Sequence, residues 1–246
     1  MINILKNVTR INLLKEQMIP KHIAIATTSL DLCEKQEQDK REELALKNTF
    51  TFIQRQIKLN IPILTIMFPS NDEKDIKFID ELVSTLIKNE IINENKIKIM
   101  FIGNWFDLPT VIKENIKKIM EETKDYDNHF LNILIKYDGK QEIISAIKVL
   151  TLKAVNNQLD PKELTPEQIK EVLFTSYFVP PELIIQCGFK FSGIMLFDSP
   201  GAVIYFTKNK HWITIDKKDF DEALIHYKKA VQLKKSDKNI KLEESK

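Results

Sequence analysis

The feature that most constrains the fold is a repeated alternation of short apolar runs with longer amphipathic stretches. The apolar runs cover residues 22–27, 62–68, 96–103, 131–137, 183–186 and 202–206. Most are continuously apolar, which is typical of strands buried on both faces of a parallel sheet. Helical periodicity falls between and after them, over residues 33–59, 75–88, 108–122, 141–154, 165–175 and 219–234. The alternation predicts an α/β fold, a single domain with a central, mostly parallel sheet flanked by helices.

The chain divides into a core and two flanking segments. Residues 1–18 read as an N-terminal helical arm, and residues 19–233 as the folded domain. No repeat or Pro/Ser/Gly-rich linker interrupts that domain. Residues 234–246 are charged and lack periodicity, which predicts a disordered tail.

Composition excludes several classes of function. With 37 basic and 35 acidic residues, the net charge of +2 is too balanced to indicate nucleic-acid binding. The two cysteines and four histidines are scattered, so we expect neither a disulfide framework nor a zinc site. No run of about 18 apolar residues occurs, so nothing predicts a membrane span. We expect a cytoplasmic protein, with peripheral contact to a membrane surface as an open option.

Phosphate-binding and hydrolase signatures are absent from the sequence, including GxGxxG, GxxxxGK[ST], GxSxG and HExxH. Only 5 glycines occur, which leaves little material for loops that cradle phosphate with backbone amides. Thr27, Thr28 and Ser29 follow the first strand. They could cap a helix or present amides to an anion, and capping is the favoured reading.

An ordered series of segments resembles the cis-prenyltransferase (undecaprenyl diphosphate synthase) family. The segments run from about Ile19 to Tyr227 at the family's spacing: residues 19–25 (IPKHIAI), 102–109 (IGNWFDLP), 131–143 (LNILIKYDGKQEI), 165–167 (TPE), 181–185 (PELII), 192–206 (SGIMLFDSPGAVIYF), 211–212 (HW) and 220–227 (FDEALIHY). The fold that this resemblance implies agrees with the one predicted from the alternation. It also implies a dimer, and an apolar tunnel for an isoprenoid chain enclosed by two helices and the sheet.

The family's enzymes condense isopentenyl diphosphate with an allylic diphosphate and need Mg²⁺. A diphosphate leaving group calls for a carboxylate-held metal and fixed arginines. The family's first strand ends in MDGNGRW, whereas this chain has TTSLDLC at residues 27–33. Thr28 therefore occupies the position of the catalytic, metal-binding Asp, so the resemblance implies no catalytic residue and no metal ligand there.

The second phosphate motif, RTxGExRxSN, is also altered. Residues 186–193 read QCGFKFSG, so Gln186 replaces the first Arg and Lys190 stands in for the second. Ser192 is retained, and Lys140 replaces the Arg of YGGR. A lysine can meet phosphate as a point charge but lacks the bidentate fork of arginine. Lys140, Lys190 and Ser192 are the predicted substrate-binding residues.

The segments that form the scaffold match the family, whereas the catalytic residues do not. Three hypotheses follow. The first is a non-catalytic subunit similar to those of heteromeric cis-prenyltransferases, supporting a catalytic partner in polyprenyl diphosphate synthesis. The second is a divergent but active prenyltransferase. The third is an isoprenoid-binding regulatory module. No cofactor is expected for the chain alone, and Mg²⁺ is expected if it is active or in complex with a catalytic partner.

The resemblance also predicts the partners of the chain. These are prenyl diphosphates and either a second copy or, preferably, a catalytic cis-prenyltransferase subunit. Ile194, Leu196, Phe197 and Tyr205 are the predicted interface residues, in the segment where the family dimerises. His22, at the start of the first strand, is expected to be structural rather than catalytic.

Overall fold

A computed structural model of the chain describes residues 18–29, 32, 34, 40–69, 72–207 and 210–244, with side chains up to 234. Six parallel strands form one sheet in the order β3-β4-β2-β1-β5-β6. Their bounds are β1 His22–Ala26, β2 Ile63–Phe68, β3 Ile97–Ile102, β4 His129–Ile135, β5 Leu183–Gln186 and β6 Val203–Phe206. The predicted single α/β domain with a parallel sheet is confirmed.

Seven α-helices accompany the strands in the described part of the chain. They are α1 Arg41–Lys58, α2 Glu73–Lys88, α3 Glu90–Glu94, α4 Thr110–Glu122, α5 Gly139–Val155, α6 Pro166–Glu171 and α7 Lys217–Glu244. Short 3₁₀ turns cover Trp105–Asp107, Pro161–Glu163 and Trp212–Thr214. The capping box at Thr165 begins α6 as the sequence predicts, with Pro166 at the first helical position.

Some predicted boundaries differ from the structure. The helix expected over 33–59 begins at Arg41, and residues 33 and 35–39 lie outside the described part. The helix expected over 165–175 ends at Glu171. The expected N-terminal arm lies outside the described residues, apart from residue 18. The last helix, α7, continues to Glu244, well beyond Lys234, where the sequence predicts a disordered tail to begin.

Each face of the sheet carries its own set of buried side chains. The first face packs against α1, α2, α4 and α7 in a large apolar cluster that includes Ile25, Phe52 and Ile79. The second face has a smaller cluster, in which Ala24 and Leu134 of the sheet meet Phe178 and Ile194. Alternate strand residues supply the two clusters, as the two-residue period of a strand requires.

Because all six strands are parallel, their carboxyl ends lie along one edge of the sheet. The segments that follow β1, β2, β4 and β5 begin there. Ligand sites of open α/β sheets lie in crevices outside the carboxyl ends of the strands. This edge, called the carboxyl edge below, is therefore where a site is expected. Among the described residues, none of the helices is long and apolar enough to cross a membrane.

Candidate functional site

The backbone that follows β1 is held in place from two sides. Thr27 Oγ1 donates to the carbonyl of Met67 on β2, 2.8 Å away. The indole Nε1 of Trp212 donates to the Thr28 carbonyl at 2.9 Å, and His211 Nε2 donates to the Ser29 carbonyl at 2.9 Å. Burial lowers the pKa of His211 below its ordinary value. The segment containing Thr28 is thus fixed by neutral hydrogen bonds to its carbonyls.

The loop after β5 lies beside this segment. Gly188 has a φ of 85°, a left-handed conformation that favours glycine, and a Cβ added there would lie 4.0 Å from the Thr28 side chain. Cys187 is buried, and burial raises the pKa of its thiol to about 12, so it is an unreactive packing residue. The structure therefore brings Thr28 and the altered second phosphate motif together.

Gln186 shows how that motif has changed. Its side chain is only 2% exposed. Its Nε2 donates to the Cys187 carbonyl at 2.9 Å, while its Oε1 accepts from the Ser192 backbone amide at 2.9 Å. The resemblance places Gln186 at the family's first arginine. Both polar atoms of its amide are bonded within its own loop, so Gln186 presents no charge outward.

The start of α5 meets the same loop. Asp138 caps the helix by accepting from the Lys140 amide at 2.7 Å. A Cβ added to Gly139 would overlap the Gly193 carbonyl oxygen and lie 2.6 Å from the Leu196 Cβ, so the two backbones touch here. Lys140 and Ser192 flank this contact on its two sides. Both are exposed, as is Lys190 in the loop itself, so all three predicted substrate-binding residues stay predictions.

Sequence reasoning missed Lys136, which directly follows β4. A cavity of about 500 Å³ opens at the carboxyl edge and is lined by Thr27, Met67, Phe68, Pro69, Lys136, Tyr137 and Asp138. Lys136 is half-buried and has a φ of 48°, which is uncommon outside glycine. Lys136 comes immediately after a continuous apolar strand in the sequence. This position could have indicated a site residue, because the carboxyl ends of neighbouring parallel strands meet at one edge of the sheet.

The described residues at this edge do not reproduce the metal site that the resemblance implies. Thr28 offers a hydroxyl where a hard divalent cation prefers a carboxylate. Two carboxylates lie nearby at the start of α2, where Ser29 Oγ donates to Asp72 at 3.0 Å and to Asp75 at 3.4 Å. Asp72 also caps α2 by accepting from the Asp75 amide at 2.8 Å. Within the described ranges, no group of three His, Cys, Asp or Glu side chains is arranged to hold a metal ion.

The predicted interface residues do not share one environment. Leu196, Phe197 and Tyr205 are half-buried, and the Tyr205 hydroxyl lies 3.5 Å from a Glu222 carboxylate oxygen. Ile194 is fully buried in the second-face cluster, so the prediction of a partner contact is wrong for this side chain. The Ile194 side chain packs against the second face of the sheet and shields the apolar residues of that face from solvent.

The chain is similar to known proteins over most of its length. Residues 33–233 match the family model for undecaprenyl diphosphate synthases. A tritrans,polycis-undecaprenyl-diphosphate synthase (geranylgeranyl-diphosphate specific) of Thermoplasma acidophilum is 32% identical over 164 residues, 65% of this chain. The match spans 63% of that relative's length. An isoprenyl transferase of Oceanobacillus iheyensis is 27% identical over 71% of this chain and 73% of its own.

Solved structures show the same architecture. The structure of lavandulyl diphosphate synthase from Lavandula x intermedia, in complex with dimethylallyl diphosphate, superimposes with a TM-score of 0.75 at 20% identity. The superposition covers 85% of this chain and 94% of that one. At this identity, the likeness establishes the fold.

Proposed function

The chain belongs to the undecaprenyl diphosphate synthase family of cis-prenyltransferases, and from this premise we propose that it is a non-catalytic subunit in polyprenyl diphosphate synthesis. In this role it binds a prenyl diphosphate at the carboxyl edge and supports a catalytic cis-prenyltransferase partner.

The proposal depends on the charge, burial and hydrogen bonding of Gln186. An arginine at this position would offer a diphosphate a charged, bidentate clamp. Gln186 is neutral and buried, and both polar atoms of its amide are bonded within its own loop. Thr28, with its carbonyl held by Trp212, supplies no carboxylate on the other side of the crevice. Charge that would stabilise a departing diphosphate is thus missing from both positions.

Binding of an anionic head group is still supported. Lys136 lines the cavity at the carboxyl edge, and Lys140 lies in the first turn of the helix that follows the same strand. These ammonium groups can attract a diphosphate as point charges without aligning it for displacement. Mg²⁺ held by a catalytic partner would supply the neutralisation that the leaving group requires. Half-buried Leu196, Phe197 and Tyr205 remain the proposed contacts to that partner.

A second candidate is a divergent, active prenyltransferase. It is favoured by the names of the relatives, since the Thermoplasma protein is called a synthase and the Oceanobacillus protein a transferase. In that case the lysines at the carboxyl edge would have to provide the stabilisation that arginines provide in the family.

Turnover separates the two candidates. The purified chain is incubated with labelled isopentenyl diphosphate, geranylgeranyl diphosphate and Mg²⁺, first alone and then with the catalytic homologue from the same source. We expect no elongated product from the chain alone, and higher yield or altered product length in the mixture than with the homologue by itself. Product formed by the chain alone would overturn the subunit assignment in favour of the divergent enzyme.

A lysine variant and its matched control test the role of the carboxyl-edge charge in the mixture. Lys136→Met removes the charge at the carboxyl-edge cavity and is expected to reduce the effect of the chain severalfold. Lys148→Met removes an exposed charge from the same region of chain, on α5, and is expected to leave the effect unchanged.

A further inference from the structure

Exposed apolar side chains line a groove on the second face of the sheet. Its larger part is a cavity of about 830 Å³ whose lining includes Met100, Phe174 and Tyr177. A smaller cavity of about 400 Å³ shares Met100 and Tyr177 with it. Tyr177 is 84% exposed and Phe174 is 48% exposed. We call the two cavities together the second-face groove. A contiguous exposed apolar surface of this kind marks an interaction site.

The charged side chains in the groove's lining balance one another. Lys136, Asp138 and Glu171 line the larger cavity, and Lys98 lines the smaller one. Two ammonium groups therefore face two carboxylates, and the lining does not favour a ligand of either sign. The property shared along the whole groove is apolar and largely aromatic surface, which suits the apolar face of another protein element.

The groove has the length of a short helix. Its smaller cavity includes Ile63 and Phe130, at the beginnings of β2 and β4, and its larger cavity includes Lys136, directly after β4. These strands have six and seven residues, so the groove extends over about 20 Å at roughly 3.3 Å per residue. A helix of about 14 residues covers the same distance at about 1.5 Å per residue.

The predicted N-terminal arm joins the domain at the amino end of this groove. The Ile63 amide donates to the Lys21 carbonyl at 3.0 Å, and His22 Nδ1 donates to the Val179 carbonyl at 2.6 Å. Both Ile63 and Val179 line the smaller cavity. Ile19 packs against the first-face cluster and fixes the connection at this end of the sheet. The arm is thus tethered beside the groove, which raises its effective concentration there.

The sequence of the arm predicts an amphipathic helix. Ile4, Val8 and Ile11 recur at intervals of four and three residues, so they share one side of a helix. At about 100° per residue, Lys6 and Arg10 fall on the opposite side. An isolated helix of this length is marginal in water, so its formation requires a surface that covers the apolar side.

We propose that residues 1–14 form a helix that lies in the second-face groove, with its apolar side against the aromatic lining. Residues 15–18 connect this helix to β1. The occupant is the chain's own arm, because the arm is tethered at the groove's amino end, has the groove's length and carries a matching apolar side. The helix runs along the groove with residue 1 towards the carboxyl edge. This assignment does not depend on the proposed function.

Photo-crosslinking from position 8, halfway along the proposed helix, tests the assignment. The full chain carrying p-benzoylphenylalanine at this position is mixed with its ¹⁵N-labelled form and irradiated, and the products are mapped by peptide mass spectrometry. We expect crosslinks within one copy, to residues 98–106 and 171–179. Crosslinks mainly to α1, α2 or residues 144–155, crosslinks only between copies, or no crosslinks would each overturn the assignment.

Limited proteolysis gives an independent measurement. Cleavage by trypsin after Arg10 requires the arm to leave the groove and unfold locally. Tyr177→Asp places a charge in the groove at an exposed position and is expected to accelerate this cleavage at least tenfold. Val111→Asp is the matched control, because Val111 is a 65% exposed apolar residue on α4, and it should change the rate less than twofold. Equal rates in the two variants would contradict the proposal.

Discussion

His22 illustrates how one residue's environment decides its role. It is fully buried at the amino end of β1, away from the carboxyl edge. Its Nδ1 donates to the Val179 carbonyl at 2.6 Å, and its Nε2 accepts from Thr65 Oγ1 at 2.7 Å. Asn132 donates in turn to Thr65 Oγ1 at 3.1 Å. This chain of bonds suits a neutral imidazole, as expected for a structural residue.

The pH dependence of stability should report this environment. Burial lowers the pKa of His22 from 6.5 to about 4, despite its hydrogen bond to Val179. Below pH 6.5 the unfolded chain binds a proton that the folded chain excludes, so stability is lost as the pH falls. Between pH 7 and pH 5 the His22 contribution to the free energy of unfolding should fall by about 2 kcal/mol.

Urea unfolding at the two pH values measures this contribution. His22→Gln should have a shallower pH dependence than the wild-type protein, whatever its stability at pH 7. His226→Gln, at an exposed position on α7, serves as the control and should keep the wild-type slope. Equal slopes for His22→Gln and the wild-type protein would contradict the assignment.

At the scale of elements, α2 is attached to the sheet through aromatic contacts. Phe78 on α2 lies 5.2 Å from the Phe68 ring of β2 and 5.7 Å from the Trp212 ring, measured between centroids. Trp212 also holds the Thr28 carbonyl through its indole nitrogen. The packing of α2 and the position of the segment after β1 are therefore linked through one side chain.

Truncating Phe78 should show the strength of this attachment. Phe78→Ala leaves a cavity between α2 and the sheet and is expected to reduce the free energy of unfolding by about 3–5 kcal/mol. Phe106→Ala, at a 61% exposed position, should cost less than about 1 kcal/mol. Chemical unfolding monitored by circular dichroism compares the two. Similar small losses would show that the aromatic contacts do not hold α2.

At the scale of the whole molecule, a buried ion pair joins elements far apart in sequence. Arg55 on α1 pairs with Asp221 on α7, and their side chains are only 6% and 10% exposed. The guanidinium also lies 5.9 Å from the centroid of the Phe220 ring. The pair therefore links α7 to α1, and both helices pack against the first face of the sheet.

Removing one partner leaves a buried charge uncompensated. Asp221→Asn is therefore expected to destabilise the protein by about 3–5 kcal/mol. The double variant Arg55→Met/Asp221→Leu should recover much of that loss, since an apolar pair of similar volume avoids desolvating two ions. Thermal or urea unfolding of the single and double variants measures both effects. A double variant less stable than Asp221→Asn would contradict this account.

The sequence by itself determined the order and type of the elements, apart from the short helix α3, which it did not predict. Continuous apolar runs such as 131–137 and 183–186 identify buried parallel strands, because periodicity and apolar length are local properties of the chain. Boundaries were less well determined. Strand β4 begins at His129, before the predicted run, because His129 and Phe130 pair with β3 and β2. These pairing partners depend on the arrangement of the strands in the sheet, so the local sequence pattern does not predict them.

Only the tertiary structure decided which side chains meet. Thr27, Met67 and Lys136 lie far apart along the chain but line one cavity, because β1, β2 and β4 are neighbours in a parallel sheet. The resemblance implies that Gln186 replaces an arginine, but the sequence does not show that the loop folds back to bind the Gln186 amide. Contacts of this kind depend on where the crossovers place the strand ends, which no local periodicity encodes.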